Sequence, residues 1–379
     1  MRCRYFGLCG GCALQDIPYS EQVSLKKDLI LKQAYKNRIE LPEFCVEPSP
    51  REFFYRNKIE MTFSNSGQGK VNLGFHRRGR NREVIDIQEC LLFSEDLPVL
   101  LERIRSFVGL KGLPAYDKYS HNGFWRYLLV RRNRNDEYLL SLITSSQFEP
   151  DTKGWVEILS DLDCVKSVYW VIYDGLGDAV GFEKVIHCAG ERYLIEELAG
   201  IKFVVGLRGF FQVNPWGTER LYMWVKDYIK DNVQGKILDL YAGSGGIGLV
   251  LAKEGMSVLG IEMDDSAVAE AKQNVDLNGI KGYSMLKGNV RALLGKNPGW
   301  RGQFDCIIMD PPRSGMPPKV RYRVVKLNAS HLVYISCNPV TFMSDLRDIV
   351  PSYEIIDFKA IDMFPHTPHV ELVAFMRRR

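Results

Sequence analysis

The sequence predicts an α/β fold for its C-terminal half and an α+β fold for its front half. From Gly206 onward, hydrophobic strand-like runs alternate with helical segments, and one such run leads through the glycine-rich turn Gly243-Ser-Gly-Gly-Ile-Gly248 into a helix. Several of these runs also end on a polar residue or on a proline-rich turn. Open α/β sheets bind their ligands at the carboxyl ends of their strands, so the sequence predicts a site there.

Length and composition exclude several classes of protein. The chain has 379 residues, more than one hydrophobic core usually supports, and 46% of them are hydrophobic, as in ordinary globular proteins. No run approaches the ~18 apolar residues that a membrane span needs, and the first residues do not begin a signal peptide. We expect a cytoplasmic protein of two or three domains that acts as a monomer and has no membrane partner.

The predicted domains are three. Residues 1–90 form a metal-binding segment with the start of the central domain, residues 91–205 form a central α+β domain with an antiparallel sheet, and residues 206–379 form a Rossmann-like α/β domain. A strictly alternating strand at Lys58–Phe63 and a turn at Asn133–Asp136 indicate the hairpins of the α+β part.

Cysteines crowd the first twelve residues. Cys3, Cys9 and Cys12 have the spacing C-x5-C-x2-C, with glycines between them that let a short loop fold around one centre. Zinc sites and iron–sulfur clusters both accept four thiolates, so a fourth cysteine is expected. Cys90, just after a strand-like run, is the first candidate and Cys45 the second. The spacing does not distinguish zinc from iron–sulfur.

The glycine-rich turn predicts a cofactor that contains adenosine. Gly243-x-Gly245-x-x-Gly248 satisfies a dinucleotide-binding pattern, and Glu262 ends the next strand, placed to accept hydrogen bonds from ribose hydroxyls. This spacing fits both a nicotinamide cofactor and S-adenosylmethionine. Asp239, ahead of the turn, favours S-adenosylmethionine, because a carboxylate there attracts a cationic cofactor and repels a pyrophosphate.

Three reactive side chains occur at or near other strand ends. Asp310 ends an apolar strand before two prolines, Cys337 follows the buried run Leu332–Ser336, and Glu371 lies in the apolar run 370–375. A thiol alone in such a place is more often part of the core. Together, however, they suit methyl transfer to carbon 5 of a pyrimidine, which needs a thiolate that adds to carbon 6, a base that removes the carbon 5 proton, and a group that orients the ring.

Clustered cations and aromatic residues indicate an RNA substrate. The net charge is only +4, but cations gather in three places that suit a phosphate backbone: residues 76–82, Arg126 with Arg131, Arg132 and Arg134, and Arg377–Arg379. A base inside folded RNA must be flipped out before it reacts, and Phe210 and Phe211 are candidates for that role.

Five short motifs resemble the RNA uridine C5-methyltransferases, which make 5-methyluridine in tRNA and 23S rRNA. They are Phe211-Gln-Val-Asn-Pro215, Asp239-Leu-Tyr-Ala-Gly243, Asp310-Pro-Pro-Arg313, Ser336-Cys-Asn-Pro339 and His369-Val-Glu371. The resemblance implies that Cys337 is the nucleophile and Glu371 the base. It also implies that four further residues contact S-adenosylmethionine or the base beside it, namely Gln212, Tyr241, Glu262 and Asp310.

The cysteine spacing is similar to that of the 23S rRNA branch of this family. By that resemblance a [4Fe-4S] cluster is held by Cys3, Cys9, Cys12 and Cys90. The chain also resembles the short rRNA enzymes that act on a U747-type site and lack an N-terminal β-barrel domain, so 23S rRNA is the first substrate expected. Archaeal tRNA enzymes with a cluster make tRNA uridine 54 the alternative.

Other functions fit parts of the sequence. A cytosine C5-methyltransferase would use the same thiolate chemistry. An NAD-dependent oxidoreductase would use the glycine pattern but leaves Asp310-Pro-Pro and Ser336-Cys-Asn-Pro339 without a role. A non-catalytic iron–sulfur RNA-binding protein would need only the cysteines and the cations.

Overall fold

The computed structural model describes residues 1–67, 69–177 and 180–379 and groups them into two compact units. Unit 1 comprises Met1–Asp16, Arg51–Glu196 and Val205–Arg208, and unit 2 comprises Ile17–Pro50, Glu197–Val204 and Gly209–Arg379. The segment predicted for residues 1–90 is therefore shared between the two units, because residues 17–50 belong to the C-terminal one.

The strands of the described residues follow one another in this order: β1 (Val46–Glu47), β2 (Lys58–Asn65), β3 (Val71–Arg77), β4 (Arg80–Asp86), β5 (Trp125–Arg132), β6 (Tyr138–Thr144), β7 (Val165–Ile172), β8 (Lys184–Gly190), β9 (Leu194–Leu198), β10 (Ile201–Val205), β11 (Lys236–Leu240), β12 (Ser257–Glu262), β13 (Tyr283–Lys287), β14 (Cys306–Met309), β15 (His331–Ser336), β16 (Tyr353–Ile361) and β17 (Glu371–Arg378).

The α-helices between them are α1 (Tyr19–Asn37), α2 (Leu97–Lys111), α3 (Thr152–Glu157), α4 (Pro215–Asn232), α5 (Gly246–Lys253), α6 (Asp265–Asn278), α7 (Val290–Lys296), α8 (Pro318–Leu327) and α9 (Pro339–Ile349). Within the described parts of the chain, no helix has the length and apolar character that crossing a bilayer requires.

Unit 1 is built on a seven-stranded sheet with the order β4-β3-β2-β5-β6-β7-β8. Phe107 on α2 packs against the sheet, with its ring centroid 5.8 to 6.3 Å from those of Trp125, Trp155 and Trp170. The sheet is not wholly antiparallel as predicted, since β6 and β7 pair in parallel. A parallel pair needs a crossover connection, and the segment that contains α3 supplies it.

Unit 2 contains an eight-stranded sheet with the order β1-β16-β17-β15-β14-β11-β12-β13. Strands β11 to β15 pair in parallel, so their carboxyl ends meet along one edge. β17 runs antiparallel to both β15 and β16. Its first residue, Glu371, therefore lies at the same edge as the carboxyl ends of the parallel strands.

Helix α1 joins unit 2 although it lies early in the chain. It begins at Tyr19, because Pro18 has an extended backbone and precedes the first turn. It ends at Asn37, and the left-handed backbone of Arg38 (φ 56°) closes the last turn. After α1 the chain adds β1 to the sheet through Val46, opposite Ala360 of β16.

Candidate active site

The predicted nucleophile and the predicted base face each other at the edge of the unit 2 sheet. Ser336 of β15 pairs with Leu372 of β17, so one further step of this antiparallel register places Cys337 opposite Glu371. Cys337 also directly precedes α9, whose N-cap Asn338 accepts a hydrogen bond from the backbone of Val340. The register of two strands therefore brings a thiol and a buried carboxyl group together.

Arg313 is a third member of this site, although no role was predicted for it. Its side chain hydrogen-bonds to Cys337. Its carbonyl accepts from Asn338 Nδ2 at 2.9 Å and from Thr341 Oγ1 at 3.2 Å, which ties the loop after β14 to the start of α9. The position of Arg313 directly after Asp310-Pro-Pro was the available signal, but only the fold shows what its guanidinium touches.

Burial and like charges govern the acidity of this group. Burial, followed by the carboxyl group of Glu371, raises the pKa of the Cys337 thiol, and the Arg313 guanidinium opposes that rise. Burial also raises the pKa of Glu371, with Asp310 adding to the rise and Arg313 opposing it. A carboxyl group whose pKa is raised in this way has the basicity of a working proton acceptor.

Asp310 and Asp239 extend the carboxyl cluster toward the glycine-rich turn. Burial raises the pKa of Asp310 to about 7, and burial with the charges of Asp310 and Glu262 raises that of Asp239 to about 8. Asp239 accepts a hydrogen bond from the backbone of Gly248, where a Cβ atom would lie 2.9 Å from its Oδ2. The turn thus closes directly over a carboxyl group that would hold a cation well.

A cavity of about 790 Å³ opens at the carboxyl ends of β11 and β12. Its lining includes Tyr241, Glu262, Asn289 and Gly315. Glu262 is oriented by three backbone N–H groups, those of Gly243 at 3.1 Å, Met263 at 2.6 Å and Asp264 at 2.8 Å. A cavity of this size, with a fixed carboxylate at its wall, suits an adenosine, because the ribose hydroxyls can donate hydrogen bonds to that carboxylate.

Two of the predicted cofactor residues therefore line the cavity, and two lie elsewhere in unit 2. Tyr241 and Glu262 are in the lining, while Asp310 is half-buried just before the loop that supplies Pro312 and Gly315. Gln212 is half-buried in the loop before α4 and is outside the described lining. Phe210 in the same loop is 68% exposed, whereas Phe211 is buried.

The four predicted cluster ligands share one region of unit 1. The thiol of Cys12 interacts electrostatically with those of Cys3, Cys9 and Cys90, and burial together with these neighbours raises its pKa to about 12. Gly11 N–H donates to Cys9 Sγ at 3.3 Å, and Gln15 Nε2 donates to Cys12 Sγ at 3.7 Å. Cys45 is exposed and belongs to the other unit.

These four thiols have the chemistry of a soft-metal site, but they are not closed around one point. In the described ranges no group of three or more histidine, cysteine or acidic side chains is already arranged to hold a metal ion. All the cysteines here are free thiols. The donor set fits zinc or an iron–sulfur cluster, and the [4Fe-4S] assignment stays a prediction.

Most of the cations predicted to contact RNA have structural partners instead. Arg126, Arg131 and Arg132 are buried, and Arg126 donates to the carbonyls of Tyr173 and Gly175 at 2.6 and 2.7 Å. This second cluster therefore stabilises unit 1 and does not form a phosphate-binding surface.

The other two clusters differ in position. Arg377 and Arg378 end β17, six and seven residues from Glu371 and about 20 Å along the strand, so the C-terminal cations lie far from the reactive edge. In the first cluster, Arg80 and Arg82 are exposed on the β3–β4 hairpin, and Arg82 lies over the exposed ring of Tyr119 at 5.0 Å. This hairpin keeps the predicted character of an RNA contact.

Known proteins with similar sequences include RNA methyltransferases. The family model described as tRNA (Uracil-5-)-methyltransferase matches residues 300–379, and one described as Conserved hypothetical protein 95 matches residues 218–334. A protein of Caldanaerobacter subterraneus subsp. tengcongensis, named only as an RNA methyltransferase, is 39% identical over 382 residues, which cover 99% of this chain and 84% of that protein.

Two further relatives are named for their substrate. The tRNA (uracil(54)-C(5))-methyltransferase of Pyrococcus furiosus is 31% identical over 378 residues, which cover 100% of this chain and 85% of that protein. The crystal structure of the Pyrococcus abyssi tRNA (uracil-54, C5)-methyltransferase in complex with S-adenosyl-L-homocysteine has a TM-score of 0.81 at 29% identity, covering 97% of this chain and 86% of that one. The predicted α/β methyltransferase fold is confirmed. The chain belongs to the S-adenosylmethionine-dependent RNA uracil-5-methyltransferase family.

Proposed function

We propose that this chain methylates carbon 5 of uridine 54 in tRNA, with Cys337 as nucleophile and Glu371 as base. The observation that carries the chemistry is the register of β15 and β17, which sets the thiol opposite the carboxyl group. The relatives that are named for their substrate act on uracil 54 of tRNA. These relatives support tRNA, which the sequence analysis gave as the alternative substrate, more than they support 23S rRNA, which it gave first.

Each residue has a defined step in this reaction. The Cys337 thiolate adds to carbon 6 of the uracil, and the negative charge moves to the ring, so that carbon 5 becomes nucleophilic. Carbon 5 accepts the methyl group of S-adenosylmethionine, whose bond from sulfur to that methyl group breaks and which leaves as S-adenosylhomocysteine. Glu371 then removes the proton from carbon 5, the double bond between carbons 5 and 6 forms again, and the bond from carbon 6 to sulfur breaks and releases the thiolate.

The remaining residues bind and orient. Glu262 and Tyr241 line the cavity for the adenosine, and Asp310 precedes the loop that supplies Pro312 and Gly315 to that cavity while its charge acts on Glu371. Gln212 contacts the methyl donor or the base beside it. Phe210 presents an exposed ring two residues before Gln212. An exposed aromatic ring suits stacking on a base that has left its helix.

The substrate is tested with defined RNAs and S-adenosylmethionine that carries a labelled methyl group. We expect 5-methyluridine in a tRNA transcript with uridine at position 54, and none when cytidine replaces that uridine. Methylation of a 23S rRNA fragment alone would overturn the tRNA assignment and restore the rRNA one. Formation of 5-methylcytidine would overturn the uridine assignment.

We infer that Cys3, Cys9, Cys12 and Cys90 hold a [4Fe-4S] cluster. The inference is supported by four free thiols in one region and by the N–H···S hydrogen bonds to Cys9 and Cys12. Thiolate ligands of clusters commonly accept such hydrogen bonds, which adjust the reduction potential.

Protein purified without oxygen is expected to contain about four iron and four sulfide per chain and to absorb visible light broadly. The variant Cys12→Ser should lose the iron and the absorption, because a hydroxyl is a poor substitute for a soft thiolate. The matched variant Cys45→Ser should retain both. One zinc per chain without sulfide would contradict the cluster assignment.

Replacing Arg313 is expected to make Cys337 less reactive. The guanidinium holds down the pKa of the thiol against burial and Glu371, so Arg313→Met should shift the pH profile of Cys337 alkylation by iodoacetamide upward. We expect alkylation about tenfold slower near neutral pH, since one pKa unit is about 1.4 kcal/mol. Mass spectrometry of the Cys337 peptide measures the rate, and Arg347→Met, an exposed arginine of α9, should leave it unchanged.

A further inference from the structure

Helix α1 presents an unusual buried stripe to the rest of unit 2. Gln22, Lys26, Ile30 and Ala34 follow one another at four-residue intervals, and each is at most 4% exposed. Residues four apart share one face of a helix. Two of the four are polar, and one carries an ammonium group whose burial is unfavourable unless it is paired. These two polar side chains both contact the segment between β16 and β17.

Lys26 forms a fully buried ion pair with Asp362. Its Nζ lies 2.5 Å from Asp362 Oδ1 and 3.2 Å from the carbonyl oxygen of Phe364, and the two side chains are 1% and 0% exposed. Burial lowers the pKa of Lys26 and raises that of Asp362, although each partner opposes the shift of the other. An apolar pair of similar size would stabilise the fold to a similar extent. What the ion pair adds is a defined position of Asp362 relative to Lys26.

Gln22 holds the next turn of the same segment. Its Oε1 accepts from the backbone N–H of His366 at 2.9 Å, and its Nε2 donates to the carbonyl of Ile17 at 2.9 Å. Nε2 also lies 3.2 Å from His366 Nδ1, and a hydrogen bond between these two atoms needs Nδ1 as the acceptor. His366 has a left-handed backbone, with φ 66°, a conformation that a histidine keeps only when its surroundings impose it.

The anchored segment leads directly into the proposed base. Asp362 follows Ile361, and Ile361 is the residue paired with Glu371 across β16 and β17. The segment from Asp362 to Val370 therefore connects the end of β16 to the start of β17, where Glu371 is the first residue. A shift of this segment changes where the carboxyl group stands relative to the carbon 5 proton, and a displacement of 1 Å is enough to slow a positioned step strongly.

We propose that Gln22 and Lys26 of α1 are positioning residues for the proton-removal step, because they fix the segment that carries Glu371. The inference rests on the proposed role of Glu371 as the base. It gives α1, a helix early in the chain, a role in the last step of the reaction. Addition of the thiolate and methyl transfer depend on other groups and should be spared.

The test follows the covalent enzyme–RNA adduct in a single turnover with labelled S-adenosylmethionine. For Gln22→Leu and for Lys26→Met we expect the methylated adduct to form at the normal rate and to decay about tenfold more slowly per folded molecule. S-adenosylmethionine affinity, measured in parallel, should be unchanged and shows that unit 2 is folded. If Lys26→Met does not fold, Gln22→Leu decides alone.

The matched control is Tyr353→Phe, which removes a buried hydrogen bond to the carbonyl of Ala329 at the opposite end of the sheet. It should lower the melting temperature without slowing adduct decay. Normal decay in folded Gln22→Leu would overturn the positioning role. Glu371→Gln separates the two ideas: accumulation of its adduct supports the base, and normal turnover of that variant would remove the base assignment together with this inference.

Discussion

Replacing Cys337 with alanine is expected to abolish 5-methyluridine formation while the chain still folds and binds S-adenosylmethionine. Without a thiolate to add to carbon 6, carbon 5 does not become nucleophilic. Removal of an enzyme nucleophile lowers turnover by roughly 10⁴- to 10⁶-fold. Cys337 is only partly buried, so the truncation should lower the free energy of unfolding by about 1 kcal/mol or less. Nucleoside analysis of methylated RNA measures the loss.

RNA that carries 5-fluorouridine tests the role of Cys337 in a second way, through the formation of a covalent protein–RNA complex. Fluorine replaces the proton that the base must remove, so the wild-type protein should remain covalently bound to this RNA after methyl transfer. Cys337→Ala should form no such complex. The control is Cys306→Ala, a fully buried thiol of β14 in the same sheet, which should lose stability but still be trapped. Trapping by Cys337→Ala would show that another group is the nucleophile.

The sequence was sufficient to single out Asp310, Cys337 and Glu371 as candidates, because each one stands at an end of a strand. Asp310, Cys337 and Glu371 interrupt apolar runs at points where the chain must leave or enter the sheet. The fold places all three at one edge of unit 2, since β17 runs against its neighbours. The part played by Arg313 was not predictable, because it depends on hydrogen bonds between two loops that are distant in sequence.

The burial of charged groups was the main feature that the sequence could not give. Arg126 and Arg132 are close in sequence to other cations and looked like a surface patch, but both are buried against backbone carbonyls. The sequence of a run of cations is the same whether their side chains face solvent or bind buried backbone carbonyls. For the same reason the sequence pattern does not show which face of α1 is buried, because the buried stripe includes Gln22 and Lys26.

Asp239 links the stability of the protein to the binding of its methyl donor. Its folded pKa is about 8, whereas an aspartate in an unfolded chain has a pKa of about 3.9. Between these values the folded state binds one more proton than the unfolded state. Stability must therefore fall as the pH rises through this window, by about 1.4 kcal/mol per pH unit for one proton. A bound cation would reverse the effect, because it favours the ionised carboxylate.

Asp239→Asn is accordingly expected to make the cofactor-free protein more stable at pH 8 and to weaken S-adenosylmethionine binding about 100-fold there. The amide is neutral at every pH and its oxygen still accepts from the backbone of Gly248, so the penalty of ionising a buried carboxyl group disappears while the turn keeps its hydrogen bond. Thermal unfolding at pH 6 and pH 8 measures the first effect, and calorimetry measures the second.

Calorimetry in two buffers of different ionisation enthalpy also counts protons. The wild-type protein should release a proton when S-adenosylmethionine binds near neutral pH, and Asp239→Asn should release less. Asp305→Asn is the matched control, because Asp305 accepts from the backbone of Lys236 at the opposite end of the strands and should leave affinity and proton release unchanged. The opposite result would be that Asp239→Asn binds the methyl donor as tightly as the wild type, with the same proton release. That result would show that the carboxylate does not bind the cationic methyl donor and that Asp239 has only a structural role beneath the glycine-rich turn.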